Sequence, residues 1–458
     1  MRPAFRWIRL LTVLLGLVGA TVESVALPSF ARQTGFECVT CHVSWPELTP
    51  VGRQFKLGGY TLMKAGAADE RPLVSLAKDG PPPLLPLAAF AQASVTSTAK
   101  TDTVGTDASA FPANDRLALQ QLSLFLAGRL ANHVGAFAQW SYDGVAHHSA
   151  VDNIDIRVAD HYAGKGVDVA WGLSLNNSPT VSDIYNSTPV WGFPFASSSV
   201  APTPAASTII EEGLAQQVAG LSAYSMWNRT VYAELGGYRT ADGVFSFLRS
   251  GTDRSTAAAL RGTAPYGRFA LQHEWEDGSQ SAMVGAYGLR VNRYPDPLNA
   301  SGASDRFSDV GIDAQYQYIT SAHRVSGQLN YIHETQDLGG TFALGNSANA
   351  RNKLNSFNTK VTYYYDVKYG VTLGYHWING DADSGLYPSS AAVSGSASGR
   401  PDSSAFILEL DWLPWRDRRF TLQYTAYQKF NGGTTNYDGF GRNAKDNNTI
   451  YLVAWFPF

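Results

Sequence analysis

The sequence predicts an all-β protein, a 16-stranded antiparallel transmembrane β-barrel. Charged residues make up only 16% of the 458 residues, whereas Gly (43), Tyr (23), Phe (22) and Trp (11) are abundant. Apolar and polar residues alternate with a period of two, and short and long connections alternate between the predicted strands. Beyond the N-terminus no apolar run reaches the 18 residues of a membrane-spanning helix. Together these features are typical of outer-membrane barrels.

The period of two is clearest in residues 310–318. Val310, Ile312 and Tyr316 alternate there with the polar residues Asp313 and Gln315. The same pattern recurs in residues 356–365, 406–412, 420–426 and 450–458. Each predicted strand has one apolar face and one polar face. This suits a barrel whose outer surface contacts lipid and whose lumen contains water. A soluble β-sandwich shows the same alternation, but its strands are usually shorter.

The connections determine the predicted strand number. Short joints are expected near 130–132, 163–166, 227–229, 277–279, 320–322, 366–369 and 414–418. Longer loops are expected near 97–116, 143–151, 176–212, 241–267, 293–307, 337–355, 380–403 and 431–447. These fifteen connections join sixteen strands, and residues 257–261 are rejected as an additional strand because bacterial barrels have even strand numbers. Both chain ends are then expected on the periplasmic side.

The two termini carry targeting patterns. Three arginines, an apolar stretch and the small residues Ser24 and Ala26 predict a signal peptide over residues 1–26. An uncleaved anchor helix is the alternative, although its apolar run is short for a bilayer. The aromatic Phe458 ends the last alternating strand, which resembles the insertion signal of outer-membrane proteins. The net charge of −3 argues against nucleic acid as a partner.

Residues 38–42 (CVTCH) contain the reactive side chains that suggest a cofactor-attachment site. Cys38 and Cys41 are the only two cysteines of the chain, and His42 follows immediately. Two thiols at this spacing can form thioethers with the vinyl groups of a haem, and the adjacent imidazole then becomes an iron ligand. The motif therefore predicts one covalent haem c. The alternative is a redox disulfide beside a coincidental histidine.

The predicted domains are a signal peptide (1–26), a monohaem cytochrome c segment (27–80), a Pro-rich linker (81–86) and the barrel (87–458). About fifty residues are too few for an independent core, and the Pro-rich run favours a short, stiff spacer. We therefore expect the small N-terminal c-type haem segment to plug the lumen.

The second axial ligand of the iron is left open by the sequence. Met63 is the methionine nearest the motif in the mature chain, and a thioether ligand raises the reduction potential of a haem. Met63 is therefore the candidate metal ligand alongside His42. Met63 as an ordinary packing residue is the alternative. Ligation by two histidines would require a barrel residue, and the candidates are His161, His273, His333 and His376.

Further hypotheses concern the lumen and the outer loops. Asp313, Glu409 and Asp411 are predicted to face inward, where carboxylates suit a hydrated cation; the alternative is the usual polar lining of a porin. The aromatic residues 189–195 are expected either to fold inward over the haem or to form an exposed loop tip. The adjacent His147 and His148 lie in a predicted outer loop and are most simply solvated.

The haem segment resembles that of the fused monohaem cytochrome–porins. The similarity rests on residues 31–35 (ARQTG), 38–42 (CVTCH), 46–49 (PELT), 52–56 (GRQFK) and 59–61 (GYT), which together span about thirty positions of the chain. The barrel is similar to that family in length, pattern and C-terminus. The resemblance implies an outer-membrane c-type cytochrome, an oxidoreductase that accepts electrons from extracellular ferrous iron. It also implies a periplasmic cytochrome or cupredoxin as the electron acceptor.

Three functions therefore compete at this stage. The first is inward electron transfer from ferrous iron through a haem enclosed by the barrel. The second is a haem-bearing conduit for another donor, or one that carries electrons outward. The third is a solute porin whose haem plug is structural or sensory. An insulating bilayer core about 30 Å thick makes a lumenal haem useful for the first two.

Overall fold

The computed structural model describes residues 28–62, 85–101, 114–275, 278–415 and 418–458. Sixteen antiparallel strands, each paired with its neighbours in the chain, form a closed barrel. The first barrel strand pairs with the last, which closes the sheet. The predicted fold class is confirmed. The predicted signal peptide, Met63 and most of the Pro-rich linker lie outside the described residues.

The barrel strands are β3 Leu87–Thr98, β4 Leu117–Ala131, β5 Val134–Asp143, β6 His148–Gly164, β7 Val167–Asn176, β8 Val218–Trp227, β9 Val231–Thr240, β10 Ala264–Trp275, β11 Gln280–Arg293, β12 Asp305–Ile319, β13 His323–Asp337, β14 Arg351–Tyr365, β15 Tyr369–Gly380, β16 Ser403–Trp415, β17 Arg418–Lys429 and β18 Thr449–Pro457. A small hairpin, β1 His42–Ser44 and β2 Glu47–Leu48, precedes them.

The helices are short. They are α1 Pro28–Thr34, α2 Cys38–Cys41, α3 Pro50–Leu57 and α4 Gly339–Ala343, with 3₁₀ turns at Pro189–Trp191, Gly243–Leu248, Arg254–Thr256 and Ala444–Asn447 and a π-turn at Ile209–Gly213. Within the described ranges, none of the helices has the length and apolarity needed to cross a membrane.

The two faces of each strand differ as the alternation predicts. Val310 and Ile312 are 62% and 50% exposed on the outer surface, whereas Asp313 is 3% exposed inside. Exposed aromatic residues lie at or near the strand ends beside the short turns: Trp227, Trp275, Tyr365, Tyr369 and Trp412. An apolar band with an aromatic girdle is the lipid-facing surface of a transmembrane barrel. The chain is an outer-membrane protein, and in barrels of this kind the short turns face the periplasm.

The connections follow the predicted order with one correction. The connection predicted over 143–151 is only the four residues 144–147, because β5 and β6 remain paired up to Asp143 and His148. Asp143 Oδ1 accepts hydrogen bonds from the backbone N–H of Val145 (2.7 Å) and Ala146 (2.9 Å), which stabilises a tight turn. Residues 257–261 do not form a strand, as predicted. Leu260 makes only an isolated β-bridge with Arg293.

The C-terminal residue lies on the seam that closes the barrel. The Phe458 N–H donates to Ala89 O at 2.7 Å, and the Ala89 N–H donates to Phe458 O at 2.9 Å. Deleting Phe458 removes both hydrogen bonds, each contributing about 1 kcal/mol. We expect the deletion to lower the yield of folded, heat-modifiable barrel on gels. Phe458→Leu, which keeps the backbone pair, is the matched control, and equal yields for all three proteins would contradict the expectation.

Two chain segments fill the barrel interior. The lumen plug is defined here as residues 28–62, and the inner loop as residues 177–217 between β7 and β8. Both are largely buried against inward-facing strand residues. The inner loop contacts the plug directly, since Asn186 Nδ2 donates to Pro46 O at 2.8 Å. A barrel of sixteen strands is wide enough for an aqueous channel, and here these segments occupy it.

Candidate cofactor site in the barrel lumen

The motif cysteines sit on one helical turn. In α2, Cys38 and Cys41 are three residues apart, a spacing that places side chains on the same face of a helix. The following helix begins at Pro50, with Thr49 as its cap: Thr49 Oγ1 accepts from Gly52 N–H at 3.2 Å and donates to Thr40 O at 2.6 Å. A Cβ atom at Gly52 would lie 2.3 Å from Cys41 O, so glycine permits this close packing of the two helices.

A buried acid holds the hairpin in place. Glu47, at the start of β2, is fully buried. Its carboxylate pairs with the Lys360 ammonium and accepts hydrogen bonds from Ser326 Oγ and Gln317 Nε2. Through these three partners, the Glu47 carboxylate joins the plug to the neighbouring strands β12, β13 and β14. Removing one member of a buried pair leaves the other uncompensated, which is strongly destabilising.

Basic side chains bind the rest of the plug to the wall. Arg53 donates to Gln315 Oε1 at 2.7 Å and to Ser281 Oγ at 2.9 Å. Arg324, from the barrel, donates to the carbonyl oxygens of Val39 (2.7 Å) and His42 (2.8 Å). These contacts lie at strand ends beside short turns, so the plug occupies the periplasmic half of the lumen.

A glycine in β5 permits the closest approach of plug and wall. A Cβ atom at Gly135 would lie 2.0 Å from the backbone oxygen of Gly59 in the plug. We expect Gly135→Ala to displace the plug and to increase cleavage of residues 28–62 by an added protease. Gly267→Ala is the control, because its nearest neighbour is the flexible Leu235 side chain at 3.2 Å. Equal cleavage of both variants would contradict the expectation.

A cavity of about 360 Å³ opens beside the motif. Cys38, Cys41 and His42 all line it. Its wall is mainly apolar and includes eleven aromatic side chains: Phe30, Phe36, Trp45, Phe55, Tyr60, Phe90, Phe125, Phe137, Trp191, Phe195 and Trp455. We call it the aromatic cavity. Its volume falls within the roughly 300–1,000 Å³ of ligand sites, and apolar walls with few polar groups are their usual lining.

Burial controls the protonation of the motif. Burial lowers the pKa of His42 to about 4, so at neutral pH the imidazole is uncharged, the form that binds metal ions. Burial, together with the neighbouring Cys38, raises the pKa of the Cys41 thiol to about 11. Cys38 and Cys41 are not joined by a disulfide in the described structure.

The residues present fit a haem. Two thiols and an imidazole lie on the wall of one aromatic cavity, which is the donor set of a c-type attachment. His42 Nδ1 and Trp455 Nε1 are buried without hydrogen-bond partners. Cys38 and Cys41 would hold the macrocycle and His42 the iron. The aromatic residues would cover the rings and keep water away.

The structure separates the other histidines from this cavity. Among the described residues that line it, His42 is the only histidine. His161 bonds to Asp168, and His333 bonds to Asn355. His273 is exposed and stacks edge-on with Trp275, while His376 lines a different cavity. None of the four is placed as a second axial ligand. Met63 as that ligand stays a prediction, since it lies outside the described residues.

The inward-facing acids are paired. Arg268 donates to Asp313 Oδ2 at 2.7 Å, and Arg419 forms ion pairs with both Glu409 and Asp411. The predicted inward orientation is therefore confirmed, but these carboxylates serve ion pairs within the wall. In the described part of the chain, no group of three or more His, Cys, Asp or Glu side chains is arranged to hold a metal ion.

The inner loop forms part of the wall of the aromatic cavity. The sequence alone did not decide between this placement of residues 189–195 and an exposed loop tip. Residues 189–195 fold inward, and Val190, Trp191 and Phe195 line the aromatic cavity. Trp191 Nε1 donates to Val181 O at 3.1 Å, and the Lys56 ammonium lies 4.3 Å from the centre of the Trp191 ring. The exposed-tip alternative is wrong.

Several cavity residues were not predicted. Phe125, Phe137 and Trp455 come from three separate strands and meet only in the closed barrel. One available signal was Phe125 itself, an aromatic residue in an inward register between Ser123 and Ala127, where a porin lining is usually polar.

Known proteins resemble this chain in their barrels. No protein-family model matches the sequence, and no curated protein matches it significantly. Among solved structures, the outer-membrane channel DcaP of Acinetobacter baumannii has 12% identity over 81% of this chain and 96% of its own, with a TM-score of 0.45. An anion-selective porin from Comamonas acidovorans has 14% identity over 81% and 98%, with a TM-score of 0.42. OmpF of Salmonella typhi has 12% identity over 81% and 97%, with a TM-score of 0.45.

The class of protein follows from the chain's own strand pairing and faces. It is an outer-membrane β-barrel of porin-like architecture, with its N-terminal segment folded into the lumen. At such identities and TM-scores, the solved structures say nothing about the contents of the lumen.

Proposed function

We propose that the barrel carries one covalent haem c on Cys38 and Cys41, with His42 as an iron ligand, and passes single electrons across the outer membrane. The proposed donor is extracellular ferrous iron, and the proposed acceptor is a periplasmic cytochrome or cupredoxin. This is the activity of the fused monohaem cytochrome–porins that the haem segment resembles.

One observation carries the proposal. The attachment motif lines an aromatic cavity inside a barrel that crosses the membrane. A soluble periplasmic cytochrome segment would have no need of Phe125, Phe137 and Trp455 from the barrel wall. A c-type haem supplies one-electron chemistry when bound. Placed in the lumen, it shortens the distance between the two aqueous sides.

The chain's own residues have defined roles in this proposal. Cys38 and Cys41 would hold the haem, and the contacts of Glu47 and Arg53 with the barrel wall keep the plug that carries these cysteines in place. The aromatic side chains of the cavity wall lower the local dielectric constant. The dielectric constant and the axial ligands together determine the reduction potential of a bound haem. His42 is held by the Arg324 contact to its carbonyl oxygen.

The proposal is tested with protein made in a host that attaches c-type haem. Adding Fe(II) should convert one ferric haem to ferrous for each Fe(II) oxidised to Fe(III), followed at the c-type absorption band. In liposomes, Fe(II) outside should reduce an oxidant trapped inside only when haem is attached. Attached haem that another donor reduces but Fe(II) does not would exclude iron. Absence of covalent haem would exclude the cofactor.

A second candidate is a solute channel in which a haem plug is structural. The sixteen-stranded barrel favours it, because barrels of this size usually hold an aqueous channel. Swelling of liposomes in small sugars, at the rate of an open porin, would support this function over electron transfer.

Met63 gives the proposal a spectroscopic test. If Met63 is the second axial ligand, Met63→His should lower the midpoint potential, because a thioether favours the ferrous state relative to a second imidazole. Covalent haem should be retained. Met63→Leu, which keeps the bulk and removes the sulfur, is the control for packing. An unchanged potential and spectrum in both variants would assign Met63 to packing alone.

A further inference from the structure

Two cavities lie in the outer half of the lumen, on either side of the inner loop. The first, of about 400 Å³, is lined by Gln92, Gln120, Gln121, Ser141, Asp143, His148, Asp152, Phe195, Ser199 and Gln216, among others. We call it the glutamine cavity. The second, of about 420 Å³, is lined by Pro189, Pro194, Pro202, Thr203, Pro204, Glu211, Glu212, Ser356 and His376, among others. We call it the proline cavity.

Only the glutamine cavity meets the aromatic cavity. The two share Gln92, Gln121, Asp152 and Phe195 as lining residues. Among the described residues, the proline cavity and the aromatic cavity share none. Phe193, which is 3% exposed, belongs to the inner-loop wall of the proline cavity. The two outer cavities are similar in size and share Ser197, but only the glutamine cavity has lining residues in common with the aromatic cavity.

The glutamine cavity contains two carboxyl groups, those of Asp143 and Asp152, and no Lys or Arg side chain among its described lining residues. Asp143 Oδ2 accepts from Ser199 Oγ at 3.2 Å, and Asp152 Oδ2 accepts from Ser141 Oγ at 3.1 Å. Both donors are neutral. Neither carboxylate has an ion pair in the described ranges. A cleft lined by one sign of charge concentrates ligands of the opposite sign.

We infer that small cationic electron donors reach the aromatic cavity through the glutamine cavity and not through the proline cavity. The inference rests on the proposed function and adds the route and its charge selectivity. Asp143 lies beside the 144–147 turn on the long-loop side, so the glutamine cavity begins at the outer rim. Its shared wall of Gln92, Gln121 and Asp152 then leads towards the motif.

The charge selectivity is tested by removing carboxylates while keeping their hydrogen bonds. In Asp143→Asn/Asp152→Asn, reduction of the haem by hexaammineruthenium(II) should slow about 3- to 10-fold, by the loss of electrostatic focusing. Reduction by ascorbate, an anion at neutral pH, should be unchanged or faster. Glu212→Gln removes a carboxylate from the proline cavity and should change neither rate. Equal effects on both donors, or an effect of Glu212→Gln as large as that of the double variant, would overturn the inference.

The route itself is tested by blocking it. Ser199→Cys and Thr203→Cys place a thiol on the same inner loop, the first in the glutamine cavity and the second in the proline cavity. A bulky thiol reagent should slow reduction of the haem from outside at least several-fold in the first variant and leave the second unchanged. Equal slowing or no slowing in both would overturn the route. Failure of unlabelled wild-type protein to bind haem or to be reduced from outside would instead overturn the proposed function.

Discussion

Replacing both motif cysteines, in Cys38→Ala/Cys41→Ala, should abolish covalent haem completely while the barrel still inserts. The thiols are the only attachment points in the chain, and both line the aromatic cavity. The strand pairing that closes the barrel involves neither residue. Haem staining on denaturing gels measures attachment, and the heat-dependent shift in mobility measures barrel folding.

The matched control for this variant is Ser44→Ala, two residues beyond the motif. Ser44 Oγ accepts from the Tyr364 hydroxyl at 3.1 Å and does not line the cavity. The control should retain full haem staining. Haem staining of the double variant at the wild-type level would refute the attachment site.

Glu47→Leu should release the lumen plug. The substitution leaves the Lys360 ammonium buried without its carboxylate, at a cost of about 3–5 kcal/mol. The barrel has its own hydrogen-bonded seam and should remain closed. We expect faster proteolysis of residues 28–62 and a higher ion conductance in planar bilayers. Wild-type conductance and proteolysis in Glu47→Leu would show that the pair does not hold the plug.

A double substitution distinguishes the effect of breaking the Glu47–Lys360 ion pair from the effect of losing the other hydrogen bonds of Glu47. Glu47→Leu/Lys360→Met removes both charges, and paired removal of buried ions is often nearly neutral. The double variant should therefore regain much of the wild-type protease resistance. If it is as sensitive as Glu47→Leu, the hydrogen bonds to Ser326 and Gln317 are the more important contacts.

The sequence predicts the barrel well because its signal is local. Side chains of a strand alternate between faces, so lipid and lumen impose a period of two that is visible in residues 310–318 without knowledge of any partner strand. The turn of Asp143 was the exception. A longer loop was predicted there, but hydrogen bonds from the backbone N–H groups of Val145 and Ala146 to the Asp143 carboxylate stabilise a four-residue turn.

The charges of the lumen illustrate what an isolated strand does not reveal. Alternation places Asp313, Glu409 and Asp411 inside, and all three are there. Whether such acids face water, a cation or an arginine depends on neighbouring strands. Arg419 lies on the strand paired with that of Glu409 and Asp411, and Arg268 reaches Asp313 across the intervening strand β11.

The sequence by itself determined the strand period, which depends on residues close together in the chain, and the strand number, which follows from the order of short and long connections. Haem attachment at residues 38–42 and the periplasmic location of the chain ends stay predictions. Only the tertiary structure decided that the motif faces an aromatic cavity, because Phe125, Trp191 and Trp455 are far apart in sequence and meet when the barrel closes around its inner loop. Their contact depends on register and closure, which are properties of the whole sheet.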